Sequence, residues 1–178
     1  VFQTAQIESK LQSIQKMEPR DLARLRQKYP NRVCITPRRE IEVRRADLLP
    51  ERQGLSKTAG KLRLLHDLAN IELQALELCL RTLVEFPEAP DDFQAELWDL
   101  MKNESEHLEL CLSGMADFGG KWGDFPVHMG LWAATSTDDD LLDRVLIVHR
   151  YLEANGLDAG ETLKRRLAGV SPKGRLHH

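Results

Sequence analysis

Apolar and polar residues alternate along most of this chain at helical intervals. From about Phe2 to Lys16, Ile7, Leu11 and Ile14 recur on one side of a polar remainder, which predicts an amphipathic helix. Asp21 to Tyr29 predicts a second, short helix, with Leu22, Leu25 and Tyr29 on one side and Pro30-Asn31 as its stop. Ser56 or Thr58 is placed to cap a long helix that runs to about Glu85, ahead of Pro87. Its residues Leu65, Ala69, Glu72, Leu76 and Cys79 share a face. Pro87 to Asp92 reads as a turn, with Pro90 suited to the first helical position. The next helix covers about Phe93 to Met115 and ends near Gly119-Gly120. Phe93, Leu97, Leu100, Glu104, His107, Cys111 and Met115 recur there at spacings of three and four. Thr137 is a plausible N-cap, followed by Asp138, Asp139 and Asp140 in a first turn where negative charge favours the helix dipole. That helix is expected to reach about Ala154, with Leu142, Leu146, His149 and Glu153 on one face, and Asn155-Gly156 as a left-handed stop. Glu161 to Leu167 resembles a short amphipathic helix, and residues 169–178 show no pattern.

Two stretches break the helical rhythm. Arg32 to Ser56 holds Pro37, Pro50 and many arginines without a sustained period, and reads as an extended segment that wraps the domain. Gly123 to Trp132 is dense in glycine, proline and aromatic residues, and reads as a structured loop rather than a linker. The chain therefore divides into N-terminal helices and wrap over 1–56, a helical bundle over 57–168 and a tail over 169–178. The class is all-α.

Composition narrows the function classes. With 178 residues the chain is long enough for one domain with a real core. Lys and Arg total 25 against 28 Asp and Glu, so the molecule as a whole is neither a polyanion binder nor an acidic tail protein. The balance is uneven, however: Lys16 to Arg63 is basic and the remainder acidic. Cys34, Cys79 and Cys111 lack paired spacing, which argues against a disulfide scaffold and for a reducing, cytoplasmic compartment. Cys79 and Cys111 fall on apolar stripes and read as small buried hydrophobes. No apolar run approaches a membrane span and no secretory leader is visible. The start at Val1 and the end at His177-His178 read as part of a longer protein with tag remnants. Arg38-Arg39 and Arg44-Arg45 could meet phosphate or RNA, but pairing with acidic helices of the same domain is the favoured reading.

The candidate chemistry lies where carboxylates interrupt the apolar faces. Three long helices carry one each: Glu72, then Glu104 with His107 three residues on, then Glu153. Side chains three apart on a helix are neighbours, so Glu104 and His107 can reach one point. Like charges in a core repel and together need a cation. Oxygen and imidazole donors in a helical bundle suit iron or manganese, with zinc as the common impostor. The alternative is that one or more of these groups tilts to the surface or meets an arginine. Glu77 lies off the stripe and is expected in solvent. His66 points roughly 120° away from Glu72, as a surface or supporting histidine rather than a ligand. His128 faces a site or makes a structural hydrogen bond.

The run His66 to Leu78, the segment Asn103 to His107, the loop Gly123 to Trp132 and the run Leu152 to Asp158 together resemble domain-of-unknown-function family 455, an uncharacterised ferritin-like family. The arginine- and proline-rich segment ending in Pro50-Glu51-Arg52 fits as well, and the similarity covers about Arg32 to Asp158. The resemblance implies a ferritin-like antiparallel four-helix bundle with Glu72, Glu104, His107 and Glu153 as metal ligands. It also implies relation to di-iron carboxylate proteins, among them a tRNA hydroxylase. Two departures stand out. Asn70 stands where the family has histidine, on a different face from Glu72. No second Glu-x-x-His is present on a fourth long helix, which is expected to be missing or truncated, and His149 is placed to substitute for one ligand. The expected function is a di-iron carboxylate oxidase or oxygenase in its intact form, with this chain incomplete and weakly active or inactive. Two rivals remain open: a non-catalytic helical module that self-associates as a homodimer through an exposed core face, and an RNA-acting, hydroxylase-like protein.

Overall fold

The computed structural model describes residues 1–30, 36–51 and 53–150, with backbone alone at 149 and 150. Within these residues the protein is all-α: helices α1 (Ile7–Lys16), α2 (Asp21–Lys28), α3 (Thr58–Glu85), α4 (Asp91–Asp117), α5 (Gly130–Ala133) and α6 (Leu141–Val145). A short 3-10 turn, Ala46–Leu48, lies in the wrap, and a π-helical turn, Leu146–Arg150, continues α6. The readings that rest on Cys34, the His149 side chain, Glu153, the Asn155-Gly156 stop, the helix over 161–167 and the tail fall outside the described residues.

The fold is organised around the hairpin of α3 and α4. Five residues join the two helices, which makes them antiparallel neighbours. Leu65, near the start of α3, accordingly packs on Gly114, near the end of α4. Gln94 closes the turn by donating to the carbonyls of Pro87 and Ala89. Gly119, with φ at 74°, takes the left-handed position that stops α4, and the Gly120 N–H returns to the Met115 carbonyl. From Leu73 to Glu85, α3 is buried on every side, because α1, α2, α4 and the loop after α4 surround it.

Helix α1 is shorter than its periodicity suggests. Phe2 leaves the helical line and tucks beneath it, 6.0 Å from the Tyr29 ring and 5.8 Å from that of Trp132. Distant residues satisfy both ends of α1. Glu40 accepts from the Ile7 N–H at 3.0 Å, and Lys102 donates to the carbonyls of Ile14, Gln15 and Met17. Helix α3 starts at Thr58 without a side-chain cap from Ser56 or Thr58. The chain instead crosses so close that a Cβ on Gly60 would lie 2.2 Å from the Gly54 carbonyl oxygen. Helix α6 is capped by Asp140 and Asp143 in a reciprocal box, not by Thr137.

The wrap is extended, and it is pinned. Val43 pairs in parallel with Val127, through Arg44 N–H to the Val127 carbonyl at 2.8 Å and Val127 N–H to the Glu42 carbonyl at 3.0 Å. The loop that carries Val127 is held in turn by α3. Arg63, His66, Asn70, Gln74, Glu77, Arg81 and Glu85 recur at spacings of three and four, forming a polar line along the whole helix, and all are buried. Gln74 donates to the His128 carbonyl at 2.9 Å and accepts from the N–H groups of Leu131 and Trp132. Arg81 bonds Glu85 and Thr135 and lies 4.8 Å from the Trp132 ring. Buried Arg144 bonds Asp139 and the Ser136 carbonyl, and its Nη1 sits 2.8 Å from Glu85 Oε2 as a close charge contact.

Glu77 is not in solvent. It belongs to this buried line, with no side-chain exposure, and meets Lys10 of α1 and both terminal nitrogens of Arg39, the latter at 2.9 and 2.6 Å. The two cations that face this carboxylate offset the cost of burying it. Burial, with Arg39 beside it, lowers the Lys10 pKa from its ordinary value, against the pull of Glu77.

Candidate metal centre

On the opposite side of α3 from the polar line, Glu72 faces Glu104 and His107 of α4. One donor atom from each lies within 4.8 Å of the other two. His107 Nδ1 is 3.1 Å from Glu104 Oε2. Helical spacing puts Glu104 and His107 on one edge of α4, and the antiparallel hairpin sets the register that brings Glu72 opposite them.

The cluster sits at the margin of the helix seam. The deepest positions of α4 are Leu97, Met101, Ser105, Leu108 and Met115. The line that includes Glu104, His107 and Cys111 is turned from that seam toward the surface. Glu104 is therefore largely covered, with 18% side-chain exposure, whereas His107 is open at 56%. The cause is local: Met101 and Leu108 fill the space against α3, so the polar pair rides on the shoulder of the seam.

Electrostatics mark the same point. Glu72 is raised to about 9, first by burial and then by its hydrogen bond to Glu104 and that group's charge. A proton is therefore favoured in the hydrogen bond that Glu72 makes with Glu104. Cys111 is pushed up to about 12 by burial and by Glu72, and Cys79 is pushed up by burial and by Glu104. The donor atoms that converge are two carboxylate oxygens and an imidazole nitrogen. Among the described residues no lysine or arginine pairs with either carboxylate.

The remaining sequence candidates lie elsewhere. His66 is fully buried, not at the surface: its Nε2 accepts from the Gly123 N–H at 3.1 Å, and its ring stacks 4.7 Å from Trp122. Burial lowers its pKa to about 4. Asn70 donates to the His128 carbonyl at 3.0 Å, and His128 Nδ1 accepts from the Gly130 N–H. All three hold the 122–132 loop on the polar face of α3. Glu153 and the His149 side chain fall outside the described residues. Of the wrap arginines, Arg39 is consumed by Glu77, Arg44 pairs with Glu42 and Arg45 with Asp47. Spacing alone could have flagged the line from Arg63 to Glu85, which reads as plainly as the apolar stripe; its polar character concealed that it is buried.

Helix hairpin, pinned wrap and a two-carboxylate, one-imidazole cluster together define an all-α protein with a metal-type donor set. The chain belongs to the family described as "Protein of unknown function (DUF455)", whose model matches residues 3–175. An uncharacterised protein of Haemophilus influenzae is 28% identical over 125 residues, covering 66% of this chain and 43% of that protein. The chain thus matches less than half of that relative's length. No solved structure matches. No described helix is long and apolar enough to cross a membrane.

Proposed function

We propose that this chain is a metal-binding, ferritin-like bundle protein, and that its intact form is a di-iron carboxylate oxidase or oxygenase. The observation that carries the reading is the pairing of Glu72 with Glu104. Two carboxylates share a half-buried point with one imidazole and, among the described residues, no cation, an arrangement a divalent metal would relieve. The donor set, oxygen-rich with one nitrogen, fits iron or manganese, and zinc less selectively. Iron would supply redox chemistry with dioxygen. Glu72, Glu104 and His107 would hold the metal, with Glu104 between the other two, and Glu153 and the His149 side chain, outside the described residues, are the candidates for further donors. His107, on the open side, holds the part of the site that a substrate can approach. Cys79 and Cys111, as neutral thiols, keep the inner wall apolar.

The test is metal content per chain, by elemental analysis of protein purified without added chelator, with Glu104→Ala beside it. Near-stoichiometric iron or manganese in the parent, lost in the variant, is the expected result. Protein that takes up no metal from a ferrous or manganous solution overturns the reading. A second reading, a non-catalytic module that self-associates, draws on Leu110, 66% exposed on α4, with Leu142 and Leu146 also open. A concentration-dependent dimer that binds no metal would favour it.

A further inference from the structure

Arg39, Arg44 and Arg45 are paired, and beside the exposed Arg38 a second group of cations of the N-terminal region lies between α1 and α2. There Lys16, Arg24 and Lys28 surround a depression of about 480 Å³. None of the three forms an ion pair among the described residues; Lys28 rests 5.6 Å from the Tyr29 ring. The one acid in the lining, Asp21, is engaged at the start of α2, where it accepts from the Glu18 N–H at 3.0 Å. The floor is apolar, made by the half-buried Met17 and Leu25. Arg24 and Lys28 stand one helical turn apart on α2, so their charges point to the same side.

We propose that this depression binds a phosphate ester carried on a flat apolar body, the chemistry of a nucleotide. Three cations against one occupied carboxylate repel one another and gain by facing a multiply charged anion. Arginine offers a planar fork and lysine a point charge, both suited to phosphate oxygens. A thioether and a leucine form a surface on which an aromatic base can lie. The volume falls within the range of small-molecule sites, about 300–1,000 Å³. A lipid surface fits less well. Among the described residues the exposed large apolar side chains are Val43, Leu48, Leu110, Leu142 and Leu146, none of them on α1 or α2, so neither helix offers one to insert into a bilayer. The same unit occurs free or within a single strand of nucleic acid. The inference stands independently of the metal reading.

The experiment uses the whole chain at low salt with a fluorescent adenosine triphosphate and, separately, a labelled short single-stranded oligoribonucleotide. Inorganic phosphate serves as competitor and anionic phospholipid vesicles as a further arm. Saturable binding of either nucleotide probe is expected, weakened tenfold or more by Arg24→Glu or Lys28→Glu, largely retained by Arg24→Lys, and reduced by salt. Melting curves of the variants, expected to match the parent's, check that the fold is intact. Preference for the triphosphate assigns a free nucleotide, and preference for the oligonucleotide assigns a strand. No saturable binding of either probe at about 1 mM, binding indifferent to both charge reversals, or binding to vesicles alone would overturn the proposal.

Discussion

The two faces of α3 treat buried acid in opposite ways. On the polar face, Glu77 meets Lys10 and Arg39, and Glu85 meets Arg81 and Arg144, so each carboxylate faces two cations. On the α4 face, Glu72 meets another carboxylate and keeps its proton to do so. The physics is the same on both sides: a charge removed from water must find its opposite nearby. Where the chain supplies that opposite itself, the result is architecture, and the polar face ties α1, the wrap and the 122–132 loop to one helix. Where two acids face each other with no cation among the described residues, a shared proton holds the pair, and a metal ion could take its place.

The largest effect should come from breaking the self-sufficient face. Glu77→Leu strands Lys10 and Arg39 without an anion and is expected to cost on the order of 3–5 kcal/mol, read as a urea or thermal midpoint well below the parent's. Replacing Lys10 and Arg39 with methionine together with Glu77→Leu should recover much of that loss, because charges and counter-charge leave together.

The faces should also answer to pH with opposite signs. His66 is lowered by burial, so the folded protein binds fewer protons there than the unfolded chain. Its contribution is complete above the ordinary histidine value and is lost as pH falls toward about 4, on the order of 3 kcal/mol in full. Glu72 is raised, so its contribution is complete below the ordinary carboxylate value and is lost as pH rises through about 9. Metal-free protein should therefore become less stable from mildly acidic to alkaline pH, and Glu72→Gln should flatten that limb, raising the midpoint at pH 8 by a few degrees. A stability curve with equal alkaline slopes in parent and variant would sink the assignment. Metal binding must displace the same proton, so affinity should rise with pH over this range.

The smallest effect on stability should accompany the sharpest effect on binding. His107 is open to solvent, so His107→Ala should change stability by no more than about 0.5 kcal/mol. Metal affinity should nonetheless fall tenfold or more, as measured by competition with a chromophoric chelator. Together with Glu77→Leu, this variant separates a residue that builds from one that binds.

Much of this was legible in the apolar spacing. The limits of α2 and α4, the turn between α3 and α4, the extended wrap and the structured loop all follow from local pattern, glycine and proline. The approach of Glu72 to Glu104 and His107 was legible too, since each interrupts an apolar stripe. Other features were not. Glu77 read as a solvated residue because pattern assigns polar positions to the surface, and only the packing of α1 and the wrap over α3 reveals that it is enclosed. His66 read as peripheral for the same reason. The caps of α1 lie at Glu40 and Lys102, far along the chain, and α6 starts at its Asp140–Asp143 box rather than at Thr137.

By itself the sequence determined that the chain is helical, where its long helices run, and that an Asn-Glu-Ser-Glu-His stretch would place a carboxylate and an imidazole side by side. Those properties depend on residues within a turn or two of each other. The tertiary structure alone decided which acids would be neutralised and which left to face one another. That choice depends on what lies across the gap between helices, and neither Lys10 nor Arg39 is near Glu77 until the chain has closed around it.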